Sequence, residues 1–220
     1  MNYLAEKRQA ARPTAKSAGQ QYYLDQLNDY NNKIIVATGP AGTGKTMLAA
    51  ERAIERLQKG EIDKVVVTRP ANSVDEEIGF LPGDIVNKME PWMKPIFDVF
   101  NSHYMPPTVD EMVRRGTLEI APLAFMRGRT FKDAFVIGDE MQNSTPSQMK
   151  MLLTRLGRGS QMVITGDTRQ SDRMMDNGLV DFRRHYEKYF NPEYIKFVEL
   201  TKADVQRHPA VQEVLNMYGD

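Results

Sequence analysis

Ile34-Ile35-Val36-Ala37-Thr38-Gly39-Pro40-Ala41-Gly42-Thr43-Gly44-Lys45-Thr46 is the stretch that decides the fold. Its first five residues are apolar or β-branched, the mark of a strand buried on both faces. Gly39, Pro40, Ala41, Gly42, Thr43, Gly44, Lys45 and Thr46 then satisfy the spacing G-x-x-x-x-G-K-[ST]. Beyond them Met47, Ala50, Ile54 and Leu57 form one stripe at helical spacing, and Gly60 stands where a C-terminal helix cap belongs. Strand, glycine-rich turn and helix in that order make a phosphate-binding loop. Glycines let the backbone curl so that successive N–H groups point at phosphate oxygens, and the helix N-terminus adds partial positive charge. In such a loop Lys45 reaches the β- and γ-phosphates of a nucleotide and the Thr46 hydroxyl ligates Mg²⁺.

A loop of this kind needs an acidic partner to orient the metal and activate water. Ala134-Phe135-Val136-Ile137-Gly138-Asp139-Glu140 supplies one, an apolar strand that ends in two carboxylates. Asp139 is expected at the metal, and Glu140 at the attacking water as general base. The adjacent Asp-Glu pair suits ATP hydrolysis better than a small GTPase. Asn87-Lys88-Met89-Glu90 superficially matches a guanine-reading motif, but lacks its aspartate and does not end a strand. Gly166-Asp167-Thr168-Arg169-Gln170 follows another strand, Gln161–Thr165, and Gln170 is the candidate sensor of the γ-phosphate or lytic water.

Further strands are expected at Val65–Thr68, Leu118–Ala121 and Ile195–Leu200, with helices at Lys45–Lys59, Pro146–Leu156 and about Leu179–Phe190. Strands alternating with helices predict βαβ crossovers, an α/β fold with a mostly parallel sheet between helical layers. Residues 1–19 read as a flexible arm, and a short amphipathic helix follows over Tyr22–Leu27. Residues 20–220 read as a single domain with a helical insertion at about 70–116, where helix over Ile85–Phe100 is expected to break at Pro91 and Pro95. A chain of 220 residues suits one such domain and is short for two nucleotide-binding lobes.

The 29 basic and 29 acidic side chains cancel, so any nucleic acid must be held by a local patch. The chain has no cysteine, which removes disulfides and thiol chemistry. No apolar run approaches membrane-spanning length and no signal-peptide core is visible, so a cytoplasmic protein without a membrane partner is expected.

The motifs together resemble the PhoH family of P-loop ATPases. Besides the glycine-rich loop and the acidic pair, the resemblance runs through Arg69-Pro70-Ala71, Gly79-Phe80-Leu81-Pro82-Gly83-Asp84, Ala121–Thr130, Gln148–Met151, Leu153–Gly157 and Arg207-His208-Pro209. It implies a RecA-like three-layer αβα core similar to one lobe of superfamily 1 helicases. It also implies ATP and Mg²⁺ as cofactors, ATP hydrolysis, a link to RNA metabolism and phosphate starvation, and self-assembly into a ring, with a hexamer expected. A glutamine near Gln20–Gln21 is implied as an adenine reader, with Gln21 the candidate. Arg207 is expected to reach a neighbouring subunit's γ-phosphate, with Arg127 and Arg129 as other donors. Gly138 departs from the bulky aliphatic usual at its position, which predicts a looser acidic strand. A slow ATP-dependent switch and a P-loop small-molecule kinase are the alternative functions. Glu140 beside Asp139 favours water over a small molecule as phosphoryl acceptor.

Overall fold

The computed structural model describes residues 10–70, 85–169 and 177–218. Six strands run in chain order: β1 (Ile34–Thr38), β2 (Lys64–Arg69), β3 (Leu118–Pro122), β4 (Ala134–Gly138), β5 (Gln161–Gly166) and β6 (Ile195–Glu199). They form one sheet in the order β3-β2-β4-β5-β1-β6, and every pairing is parallel. β5 therefore separates β1, which leads into the glycine-rich loop, from β4, which leads into the acidic pair.

Parallel strands need crossovers, and these coat both faces. On one face lie α1 (Ala18–Asn28), α2 (Lys45–Gln58), α3 (Ile85–His103) and α4 (Pro106–Arg115). They cover Ile35, Ala37, Val65, Val67, Phe135, Ile137 and Val163, the alternate residues of the central strands. On the other, Val36, Val66, Val136, Met162 and Ile164 pack beneath α5 (Pro146–Leu153), α6 (Gly178–Lys188) and the 3₁₀ turns Leu123–Met126 and Met141–Asn143. All five residues of β1 and of β4 are buried, as a doubly covered strand requires. The expected three-layer αβα fold is the observed one.

Details differ where tertiary packing outweighs local pattern. α3 runs through Pro91 and Pro95 without a break, because Met93, Ile96 and Phe100 are buried on the α2 side of the core and hold the helix together. α1 begins at Ala18, four residues before the expected start, capped by the Ser17 hydroxyl accepting from the Gln20 N–H at 3.1 Å. Packing reaches back into the expected flexible arm: Ala11 is buried, and its N–H donates to Gln58 Oε1 at 2.9 Å. Met47 was expected in the buried stripe of α2 but is 41% exposed, and Leu48 and Ala49 face the core instead. Gly60, with φ 71°, ends α2 as expected. Pro209 opens α7 (Pro209–Tyr218), also as expected.

Gly138 does not loosen β4. A Cβ built there would lie 2.9 Å from Leu152 Cδ2, 3.0 Å from Ile164 Cδ1 and 3.3 Å from Met141 Cγ, so neighbouring side chains occupy the space a larger residue would take. Restoring bulk should therefore overpack the core. Gly138→Leu is expected to lower unfolding free energy by about 1–3 kcal/mol in urea titration, and adding Leu152→Ala should recover part of the loss. Unchanged stability in the single variant would show that the core opens freely at this point.

Candidate nucleotide site

The C-terminal ends of the central strands bring the motif residues together, the usual place for a ligand in an open α/β sheet. Gly39, Gly42 and Gly44 have φ of 147°, 83° and 79°, values that favour residues without a Cβ. Gly39 has a second reason: a Cβ there would stand 2.3 Å from the Leu200 carbonyl oxygen. That carbonyl belongs to the residue after β6, whose N–H donates to Thr38 O at 2.7 Å. Gly44 is the N-cap of α2 and has no side chain to cap it, so the first N–H groups of a 14-residue helix face the loop.

Lys45 Nζ donates to the carbonyls of Gly39 at 2.6 Å and Pro40 at 2.8 Å, spanning the loop from within. Burial lowers its pKa below the ordinary lysine value, against an upward pull from Asp167, Glu140 and Asp139. Thr46 Oγ1 donates to Asp139 Oδ1 at 2.7 Å. Thr165, fully buried on β5 between them, donates to the same oxygen at 2.6 Å and stands 3.3 Å from Thr46 Oγ1. Glu140 follows in the left-handed region, φ 52° and ψ 38°. Its Oε2 accepts from Gln142 Nε2 at 2.5 Å, and Gln142 Oε1 in turn accepts from the Asp167 N–H at 3.1 Å.

Lys45, Thr46, Asp139 and Glu140 thus lie together at one end of the sheet. Gln170 lies outside the described residues. Gln21 is corrected. It points outward and bonds Asp25 Oδ1 at 2.9 Å, because the inward face of α1 carries Gln20, Tyr23, Leu24 and Leu27. Gln20 is the residue at the loop, as a brace: its Nε2 donates to Thr43 O at 3.0 Å and its Oε1 accepts from the Lys16 N–H at 2.7 Å. Tyr23, fully buried, donates its hydroxyl to Lys45 O at 3.2 Å, and burial, with Asp139 nearby, pushes the phenol pKa far up.

Arg207 stands at the loop as well. It lies over the loop of its own chain: a Cβ on Gly42 would come within 2.7 Å of its Nε, and the neighbouring Gln206 N–H donates to Gly42 O at 2.9 Å. Arg129 is engaged elsewhere, in a two-pronged ion pair with Glu119 and over the Phe131 ring. Arg127 is exposed.

Sequence reasoning missed Thr165, Gln142 and Asp204. Asp204 accepts from the Ser17 hydroxyl at 2.6 Å and the Thr201 N–H at 2.7 Å, tying α1 to the segment after β6 behind the loop. Thr165 had a signal, a small hydroxyl near the C-terminal end of an otherwise apolar strand, and Gln142 had one as the fourth residue of the Asp139–Asn143 motif that carries the family resemblance.

A family model described as PhoH-like protein matches residues 13–219. The chain belongs to the PhoH family. It is 43% identical over 205 residues to a PhoH-like protein of Bacillus subtilis, covering 92% of this chain and 63% of that one. Against Protein PhoH of Escherichia coli it is 39% identical, over 93% of this chain and 58% of the other. This PhoH-like chain therefore spans about three-fifths of the length of these relatives. Among solved structures, Pif1 helicase from Candida albicans is similar at a TM-score of 0.46 and 19% identity, over 94% of this chain and 43% of that one. As family membership leads one to expect, the PhoH-like chain has a nucleotide-binding P-loop.

The donor set fits Mg²⁺. Thr46 and Asp139 offer hard oxygens, and two protein ligands suit an ion that keeps waters and phosphates in its other positions. Thr165→Val should test the third member of this group. Removing a hydrogen bond to a charged acceptor costs about 1.5–3 kcal/mol. Titration calorimetry should then show Mg²⁺-nucleotide binding weakened by about tenfold or more, whereas unchanged affinity would leave Thr165 a packing residue.

Proposed function

We propose that the chain binds ATP with Mg²⁺ and hydrolyses it, as a cytoplasmic ATPase working on RNA or another nucleic acid. The observation that carries this reading is the convergence of Lys45, Thr46, Asp139 and Glu140 at one end of the sheet. The loop N–H groups and Lys45 bind the phosphates. Thr46 and Asp139 hold Mg²⁺, which when bound supplies neutralisation of phosphate charge. Glu140 takes the proton of water as it attacks the γ-phosphorus, and Asp139 is too occupied with hydroxyl donors to serve as that base. The RNA link, the phosphate-starvation setting and a homo-oligomeric ring, hexameric by resemblance, belong to the same proposal and rest on family membership.

Three measurements test it. Lys45→Ala should abolish ATP binding in calorimetry, since it removes the cation that spans the loop. Glu140→Gln should bind ATP normally and lose turnover by about 10²–10⁴-fold. The wild-type rate should rise when single-stranded RNA is added. Wild-type turnover in Glu140→Gln would remove the assigned base, and an RNA-insensitive rate would detach hydrolysis from nucleic acid.

Arg207 gives a separate test, of where its charge acts. Its position over Gly42 supports action on the loop of its own chain, so Arg207→Ala should lower turnover. Mixing it with Glu140→Gln subunits, in a preparation shown to exchange them, should restore nothing. Recovery of activity in the mixture would place Arg207 across a subunit interface.

A further inference from the structure

Gln142 is 2% exposed and sits in the 3₁₀ turn directly after the acidic pair. Its two amide atoms face different elements. On one side is the Asp167 backbone N–H, which can only donate, so the atom 3.1 Å from it is Oε1. That fixes the amide orientation and leaves Nε2, a donor, against Glu140 Oε2 at 2.5 Å. The side chain therefore bridges the carboxylate to the end of β5.

Two features show that the local backbone is shaped around this bridge. Gly166 precedes Asp167, and a Cβ there would fall 2.6 Å from Gln142 Oε1, so the amide occupies the space of the missing side chain. Gly166 O accepts from the Gly39 N–H at 3.2 Å, which connects the same point of β5 to the first residue of the loop. Glu140 adopts a left-handed conformation uncommon outside glycine, so neighbouring contacts must hold it there.

We propose that Gln142 is a positioning residue for the reaction: its amide aims the Glu140 carboxylate and registers it against the end of β5. The inference rests on the reading of Glu140 as the base. The amide engages one carboxylate oxygen and leaves the other to accept a proton. Because the bridge ends on the backbone of Asp167, a shift of β5 relative to the loop would carry the carboxylate with it.

Gln142→Glu separates the two halves of the bridge. The introduced carboxylate can still accept from the Asp167 N–H, but meets Glu140 with like charge in place of a donor. If Gln142 only ties down its own turn, activity should survive this change. If it aims Glu140, kcat at neutral pH should fall by about 10²-fold, the scale of a small misplacement of a catalytic group. Binding of a non-hydrolysable ATP analogue should change by less than about threefold, because the variant leaves the phosphate-binding loop intact. Gln142→Met, which removes donor and acceptor together, should lose a similar factor. Adding it to Glu140→Gln should cost nothing further, because groups that act as a unit are not additive.

Full kcat in both Gln142 variants, with Glu140→Gln inactive, would overturn the inference alone. So would a loss that adds fully to that of Glu140→Gln. Turnover by Glu140→Gln at the wild-type rate would overturn the underlying assignment of the base. A thermal melt of each variant reports folding, and Gln142→Glu with a lowered melting midpoint and proportionally lost nucleotide binding would mark the bridge as structural.

Discussion

The hydrogen bond from Thr46 Oγ1 to Asp139 Oδ1 joins residues 93 positions apart in the chain, and the site depends on it. Neither residue can reach the other unless β4 and β1 stand in the same sheet with a single strand between them. That strand is β5, so its Thr165 falls in the gap and shares the same carboxylate oxygen. One acceptor with two hydroxyl donors fixes the relative height of three strand ends. A slip of β4 by one residue would turn its alternate side chains to the opposite face and expose Phe135 and Ile137 to the wrong layer. Core register and site geometry are therefore one constraint, enforced by burial below and by the Asp139 carboxylate above.

The loop is held from behind as firmly as from the sheet. Leu200 continues the β1–β6 pairing by one residue and closes over Gly39. The chain then turns through Asp204, which gathers donors from Ser17, Gly19 and Thr201 and pins the start of α1. Gln20 of that helix carries the brace to Thr43. Two segments distant in sequence thus meet on one side of a loop whose three glycines could otherwise sample many conformations. Preorganisation of this kind lowers the ordering cost of binding phosphate.

This arrangement explains which parts of the molecule were legible in the sequence. Strands buried on both faces announce themselves as short apolar runs, and β1 and β4 were placed almost to the residue. The loop and acidic pair are covalent neighbours within each motif, so spacing alone located Lys45, Thr46, Asp139 and Glu140. Whatever depends on the order of strands in space was not legible. Thr165 gains its role only because β5 lies between β1 and β4, and no local pattern states that order. The choice between Gln20 and Gln21 turned on a helix phase set by the core contacts of Tyr23, Leu24 and Leu27, about 100° per residue. Arg207 was read from its sequence neighbours, whereas its position follows from the return of the chain over Gly42. Gly138 shows the same limit: the packing of Leu152, Ile164 and Met141 around it compensates a missing side chain in a way only tertiary structure reveals.

Charge balance bears on how such a site could accept a triphosphate. Asp139, Glu140 and Asp167 all act electrostatically on Lys45, so three carboxylates face one ammonium whose charged form burial already disfavours. The N-terminus of α2 adds roughly half a positive charge, which does not restore neutrality. A triphosphate would enter a pocket of its own sign unless cations accompany it. Two sources of compensation fit the geometry: a divalent ion on the oxygens of Thr46 and Asp139, and the guanidinium of Arg207 beside Gly42. The first would lie toward the acidic strands and the second lies toward the C-terminal segment. The bond between Thr46 and Asp139 keeps β1 and β4 in register at the point where such an ion would be held.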